Sequence, residues 1–226
     1  VTDLRTILSG PTLDAGRELL GARIVRDDAD GARVARIVEV EAYIGEDDQA
    51  SHARFGRTAR NAVMYGLPGT AYVYLVYGMH DCLNIVTEPA GRPAALLVRA
   101  VEPLDGLEAM RDARARRARD RRRSPAEPAV PAGRTGRAAI PDSRLGSGPG
   151  LVCAILDLDR SLTGTDLLDP AGSVRLEPRP PAEPAPTVIA SPRVGIGYAD
   201  EPWTTLPWRL SIRDHPSVSR PRPPSG

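Results

Sequence analysis

The sequence predicts a mixed α+β fold, and three local patterns carry that reading. Ile37, Glu39, Glu41 and Tyr43 alternate with Val38, Val40 and Ala42, the two-residue period of a strand with one face turned to a core. Two stretches look like hairpins: one closes on Asp30-Gly31, and one turns at Gly78-Met79-His80-Asp81 between strand-like runs. Further on, Leu104, Leu107 and Met110 recur at helical spacing.

Taken in order, a helix is expected over 11–20, with Thr12 near its start and Gly21 as its stop. Strands follow over 22–26 and 32–43. The turn between them ends on Gly31, because such turns need a positive φ. Residues 45–69 read as a polar loop region with a short helix over 60–65. The hairpin covers 72–86, and a further strand covers 94–101. Pro103 suits the first turn of a helix, which then runs into the arginines between 111 and 123. Residues 124–142, rich in Pro, Ala and Gly, read as a mobile surface insertion. A helix over 148–156 comes next, then strands over 174–177 and 209–213. Residues 178–186 form a proline-rich connection, and 216–226 a disordered tail. With no internal repeat, residues 1–215 are read as a single domain.

Composition narrows the class. A chain of 226 residues can bury one good core or two small ones. No apolar run is long enough to span a bilayer, and no signal-peptide pattern opens the chain. Cys82 and Cys153 are the only cysteines. They fit no metal-ligand spacing and read as buried thiols in a reducing compartment, with a disulfide as the alternative. His52, His80 and His215 form no ligand cluster, so no metal is expected. Net charge is only +1, yet all 30 basic residues are arginine. Coding bias is the plain cause. The chemical consequence is that no lysine amine can form a Schiff base.

Two stretches together suggest chemistry. Glu41 and Tyr43 share a strand face, and the hairpin tip projects Tyr77, Met79 and His80. A carboxylate beside an aromatic, with a stiff protruding tyrosine, suits drawing a planar base out of a stack and cutting its sugar bond. The wider pattern is ordered along the chain. It comprises Glu41-Ala42-Tyr43, Gly45, His52, Pro68-Gly69-Thr70, Tyr72-Val73-Tyr74 and Tyr77-Gly78-Met79. It continues through Asn84-Ile85, Leu97-Val98-Arg99-Ala100-Val101-Glu102-Pro103, Ser147-Gly148-Pro149 and Arg193-Val194-Gly195-Ile196-Gly197. This set resembles the alkyladenine (3-methylpurine) DNA glycosylase family from about Pro11 to about Arg213. The resemblance implies one compact domain with a curved, mainly antiparallel sheet and surrounding helices.

It also implies roles. Glu41 matches the general base that activates water against the sugar C1′ carbon, where a carboxylate also stabilises the oxocarbenium-like transition state. Its plainer reading is a surface ion pair, and Glu39 is the rival carboxylate on the same face. Arg99 matches the residue that helps to hold the water and Glu41. Tyr43, His52 and Tyr74 match the walls of the base pocket, against the plainer reading of core tyrosines and a turn-capping histidine. Asn84 matches the pocket asparagine that crowds the 2-amino group of guanine. Tyr77 matches the wedge that fills the gap left by a flipped nucleotide, helped by Met79. Arg57, Arg60 and His80 are candidates for contact with the DNA backbone. The arginine run from 111 to 123 is either a phosphate grip or a solvated helix face. The chain departs from the family at His80, often another aromatic there, and after Ser147-Gly148-Pro149, where no lysine follows.

The function expected on this resemblance is a monofunctional glycosylase. It would flip alkylated or deaminated purines from duplex DNA, hydrolyse the N-glycosidic bond and leave an abasic site. The expected partner is damaged duplex DNA. No cofactor and no membrane are involved, the protein acts as a monomer, and its place is the bacterial cytoplasm and nucleoid or a nucleus. Two other classes stand beside it: a non-catalytic nucleic-acid binder, and a glycosidase of nucleosides or sugars. Loss of Glu41 would favour the first, and strong salt-sensitive duplex binding would count against the second.

Overall fold

The structure is a computed structural model, and it describes residues 3–123 and 140–221. Its strands are β1 (Arg23–Asp28), β2 (Gly31–Ile44), β3 (Ala71–Val76), β4 (His80–Val86), β5 (Ala94–Asp105), β6 (Gly146–Ser147), β7 (Val174–Glu177), β8 (Val188–Ser191) and β9 (Arg209–Ile212). They form one antiparallel sheet in the order β3-β4-β5-β2-β1-β7. β6 is added to β5, β9 to β2, and β8 to β9. The helices are α1 (Leu4–Ser9), α2 (Thr12–Leu19), α3 (Leu107–Arg123) and α4 (Pro149–Leu156).

β2 explains why the sheet curls. Its first half pairs with β1 as far as Arg36. Its second half pairs with β9 at Glu39, Val40 and Glu41, while its other edge stays on β5. The change of partner falls where the β2–β5 register slips, between Ile37 and Glu39 and again between Glu39 and Val40. Bulges bend a strand and increase its twist, so the curved antiparallel sheet that the resemblance implied curls into a half-barrel.

The pleat sorts the two faces. Val40 and Ala42 of β2, Val73 of β3, Leu83 and Ile85 of β4, and Leu96 and Val98 of β5 face one core. There they meet Leu19 of α2, Met110 of α3 and Ile155 of α4. Residues in between, including Glu41, Tyr43, Tyr72, Tyr74, Asn84 and Arg99, are carried on the other face. Both cysteines are free and buried. Among the described residues, no helix is long and apolar enough to cross a membrane.

Several expectations are corrected. Pro103 does not open a helix: β5 continues to Asp105, with Pro103 opposite Ala35. The turn into α3 is made by Gly106 at φ +75°, where a Cβ would stand 2.2 Å from the Ala32 carbonyl oxygen. The second hairpin turns at Tyr77–Gly78, before the predicted place, and His80 already begins β4. Tyr77 and Gly78 both have positive φ, and the Met79 N–H donates to the Val76 carbonyl at 3.0 Å. α1, β6 and β8 were not foreseen.

The tail reading fails over 216–221, because Ser217, Val218 and Ser219 are buried. Val218 packs on Val38 and Ala100. Of the expected insertion, 124–139 lies outside the described residues. Its end is folded: Ile140 packs on the main core, and Arg111 donates to the Ile140 carbonyl and pairs with Asp142. Further along α3, Arg114 donates to the Leu145 carbonyl at 2.8 Å. Arg116 pairs with Asp30, and Arg117 bridges Asp157 at 3.0 Å and Asp81 at 3.1 Å. Much of the arginine run therefore braces the protein itself.

Candidate active site

Register builds the site in one row across the sheet. Tyr72 pairs with Asn84, Asn84 with Leu97, Leu97 with Glu41, and Glu41 with Arg209. Neighbouring strands lie about 4.8 Å apart, so Glu41 and Asn84 stand roughly 10 Å apart on one face. Arg99, two residues along β5 from Leu97, reaches back over this row.

Glu41 is fully buried. Its Oε1 accepts the Val194 N–H at 2.7 Å. Its Oε2 accepts the Tyr43 hydroxyl at 3.0 Å and Arg99 Nη1 at 3.3 Å. Burial raises its pKa above the ordinary carboxylate value, and the nearby Glu39 adds to the rise. Arg99, the Val194 N–H and the Tyr43 hydroxyl act against it. All three are donors and so favour the carboxylate form. For Arg99, burial opposes the charge, but Glu41 and Glu39 outweigh burial and hold its pKa above the ordinary value.

Glu39, also fully buried, is in a different condition. Its Oε1 accepts Arg209 Nε at 2.6 Å, Arg99 Nε at 3.0 Å and the Ser219 hydroxyl at 2.9 Å. Its Oε2 accepts the Ser219 N–H at 2.6 Å. The folded C-terminal segment thus completes the shell of the rival carboxylate.

Beside Glu41 lies a recess lined by Tyr43, Ala50, His52, Met64, Tyr72, Tyr74, Asn84 and Tyr198. His52 and Tyr74 meet edge to face at 4.4 Å, and His52 Nδ1 shares a hydrogen bond with the Tyr72 hydroxyl at 2.8 Å. His52 keeps an exposed edge, yet its partial burial in the recess, then Arg60 and Arg54, lower its pKa to about 4. Its imidazole is therefore neutral at pH 7. Burial raises the phenols of Tyr43, Tyr72 and Tyr74, so the walls carry no charge. Asn84 Nδ2 donates to the Tyr72 carbonyl at 3.1 Å. The guanidinium of Arg193 lies 4.8 Å from the Tyr43 ring centroid and is held by fully buried Asp48 at 2.6 Å.

The four pocket residues expected from sequence, Tyr43, His52, Tyr74 and Asn84, thus share one recess, and Glu41 lies beneath its wall, hydrogen-bonded to the Tyr43 hydroxyl. Tyr77, at the hairpin tip, is 84% exposed. Arg57 and Arg60 are exposed on the loop that follows His52, each over a tyrosine ring, Tyr65 at 5.5 Å and Tyr74 at 6.0 Å. Met79 and His80 do not join the recess. They border a separate polar cleft of about 420 Å³ with Asp81, Arg116 and Arg117.

Residues 6–216 match the family model described as methylpurine-DNA glycosylase. The chain belongs to the methylpurine-DNA glycosylase family. Its activity class is accordingly that of a DNA glycosylase, a hydrolase. A protein of Methanocella arvoryzae, provisionally named a 3-methyladenine DNA glycosylase, is 40% identical over 97% of this chain and 96% of its own length. A protein of the same provisional name from Myxococcus xanthus is 42% identical over 95% and 91%. The DNA-3-methyladenine glycosylase of Mus musculus is 42% identical over 92% of this chain, which spans 58% of the mouse enzyme.

In this member of the methylpurine-DNA glycosylase family, several parts of the site were not expected from sequence. Tyr72 and Tyr198 line the recess, Val194 supplies a backbone donor to Glu41, and Ser219 closes the shell of Glu39. Tyr72 and Val194 stand within quoted motifs, so their presence was visible and their contacts were not. Ser219 gave no signal, because its partner lies 180 positions away.

Proposed function

We propose that the chain is a monofunctional glycosylase that flips an alkylated or deaminated purine from duplex DNA and hydrolyses its N-glycosidic bond. The observation that carries this reading is Glu41, held by three donors directly behind a neutral aromatic recess. An alkylated purine carries positive charge and leaves readily. Neutral π-rich walls attract such a ring, where a charged imidazole would repel it. Asn84 crowds the 2-amino group of a normal guanine. Tyr77 enters the duplex and fills the vacated stack.

Glu41 takes a proton from water as the water oxygen bonds to C1′ and the C1′–N bond breaks towards the base. Oε2 already accepts from Tyr43 and Arg99, whereas Oε1 accepts only the Val194 N–H among the hydrogen bonds described. A carboxylate oxygen has two lone pairs, so Oε1 is the place for the water. Because Glu41 is fully buried, the Tyr43 ring must shift as the nucleotide enters. Arg99 keeps Glu41 aimed and ionised. The products are a free base and an abasic site. With all 30 basic residues arginine, and arginine fixed in its protonated form, no side-chain amine takes the route through an iminium ion. The enzyme acts as a monomer.

The test is base release from duplexes carrying 3-methyladenine, 7-methylguanine, hypoxanthine or ethenoadenine. Release of at least the cationic alkylated bases is expected. Tight binding of these duplexes without release of any base would replace catalysis by recognition alone.

A further inference from the structure

Tyr198 belongs to the wall of the recess and also to a second surface. It is 63% exposed, and Phe55, the only phenylalanine in the chain, is 81% exposed. Arg54 lies between them. Its guanidinium carbon stands 4.7 Å from the Phe55 ring centroid and 5.2 Å from that of Tyr198. The three side chains form a stack that leads away from the recess.

The bed beneath this stack is stiff. Asp48 and Arg193 join its two loops through a fully buried ion pair at 2.6 Å. Ala50 packs on Ile196 and Ala199. The Asp200 N–H donates to Gln49 Oε1 at 2.8 Å, and Arg54 Nη1 donates to the Gln49 carbonyl at 2.7 Å. The Tyr198 hydroxyl donates to the Ala50 carbonyl at 3.3 Å. A loose loop would let an apolar ring fold back onto the core, but here the rings are held out in water. Exposed aromatic area on a stiff bed, contiguous with a binding recess, marks a contact surface. Arg54, Arg57 and Arg60 make that surface cationic, and its ring faces suit any nucleobase.

We propose that Phe55, Arg54 and Tyr198 form a stacking ledge for a base of the lesion strand that flanks the flipped nucleotide. The proposal rests on the glycosylase reading above. A nucleotide adjoining the lesion is the one that can reach the ledge while the lesion occupies the recess. Arg54 covers one face of Phe55, and the exposure of that ring leaves the other face for a base.

The experiment places 2-aminopurine on the 5′ side of the lesion, on the 3′ side, or opposite it, and uses the Glu41→Gln protein to prevent turnover. One flanking position in the lesion strand should change its fluorescence on binding. Adding Phe55→Ala should remove that change and weaken binding on the order of ten-fold, and Phe55→Trp should restore both. Equal responses with and without Phe55, or a Phe55-dependent response only opposite the lesion, would overturn the ledge. Base release by the unmutated protein is measured on the same lesions. Release without a Phe55 effect removes the ledge alone, whereas no release from any lesion removes the glycosylase reading beneath it.

Discussion

Glu39 and Glu41 stand two residues apart on one strand face, share Arg99, and are both fully buried. They differ in what surrounds them. Glu39 takes four hydrogen bonds from three residues, and its cluster is closed by the C-terminal segment through Ser219. Glu41 takes three, and lies against a recess rather than a folded segment. A buried carboxylate covered by a folded segment, with three donors converging on one oxygen and the segment's own N–H on the other, is a strut, because nothing can reach it without displacing that segment. A buried carboxylate with an accepting place left beside a recess can act on a ligand. On this reading, the shell rather than the residue type separates framework from chemistry.

Substitution of each carboxylate should break the comparison cleanly. Glu41→Gln keeps the shape and loses the base. Single-turnover release should fall about 10²–10⁴-fold, while gel-shift binding of the lesion duplex stays largely intact. Glu39→Gln instead leaves Arg99 and Arg209 short of a buried counter-charge. It should cost about 3 kcal/mol or more of stability, read as a fall in the denaturant midpoint. Near-normal release by Glu41→Gln, with release lost and stability kept in Glu39→Gln, would exchange the two roles.

The wedge offers a smaller effect of opposite signs. Tyr77 holds φ at +53°, a left-handed conformation that L-residues with a Cβ adopt at a cost. It is also exposed, so its ring gives little packing in return. Tyr77→Gly should therefore stabilise the fold by roughly 0.5–1 kcal/mol while weakening extrusion of a fluorescent base analogue at the lesion. Unchanged extrusion would remove Tyr77 from the role of wedge. Ser219→Ala deletes the hydroxyl that links Glu39 to Arg99 but keeps the backbone donor to Glu39. A loss of about 1 kcal/mol is expected, visible in thermal melting. No loss would mean that the C-terminal segment does not brace the cluster.

How much of this was legible follows from range. The alternation about Glu41 and Tyr43 and the hairpin that carries Asn84 are local patterns, so these strands could be read residue by residue, whereas Tyr43, His52, Tyr74 and Asn84 were legible as a recess only through the family resemblance. The end of β5 was misread at Pro103 because proline suits a helix start, while the pairing with Ala35 that keeps it in a strand is not local. The Val194 and Ser219 contacts to the two carboxylates join positions 153 and 180 residues apart. No spacing rule reaches that far. The tail looked disordered because its composition is that of a loop; its order comes from the charged cluster that it covers.

The smallest effect predicted is an absence. An ordinary histidine in the recess would gain a proton as pH falls through 6.5 and would then repel a cationic base. In this fold His52 is held to about 4 by burial and by Arg60 and Arg54, so its charge is constant across the neutral range. Glu41 behaves in the opposite sense. Its pKa lies above the ordinary carboxylate value of 4.5, and only its ionised form accepts a proton from water. Release should therefore be lost as pH falls through the raised Glu41 value, along a single acid limb. With 7-methylguanine as substrate the N1 proton of the cationic base is itself lost near neutrality, but that limb belongs to the substrate and is common to both proteins. The measurement is single-turnover release from pH 4.5 to 9, for the unmutated protein and for His52→Gln. The two profiles should have the same shape, whatever the difference in absolute rate. A second inflection near 6.5 that disappears with His52→Gln would mean that this imidazole titrates during the reaction, and that the recess is not the neutral chamber its geometry describes.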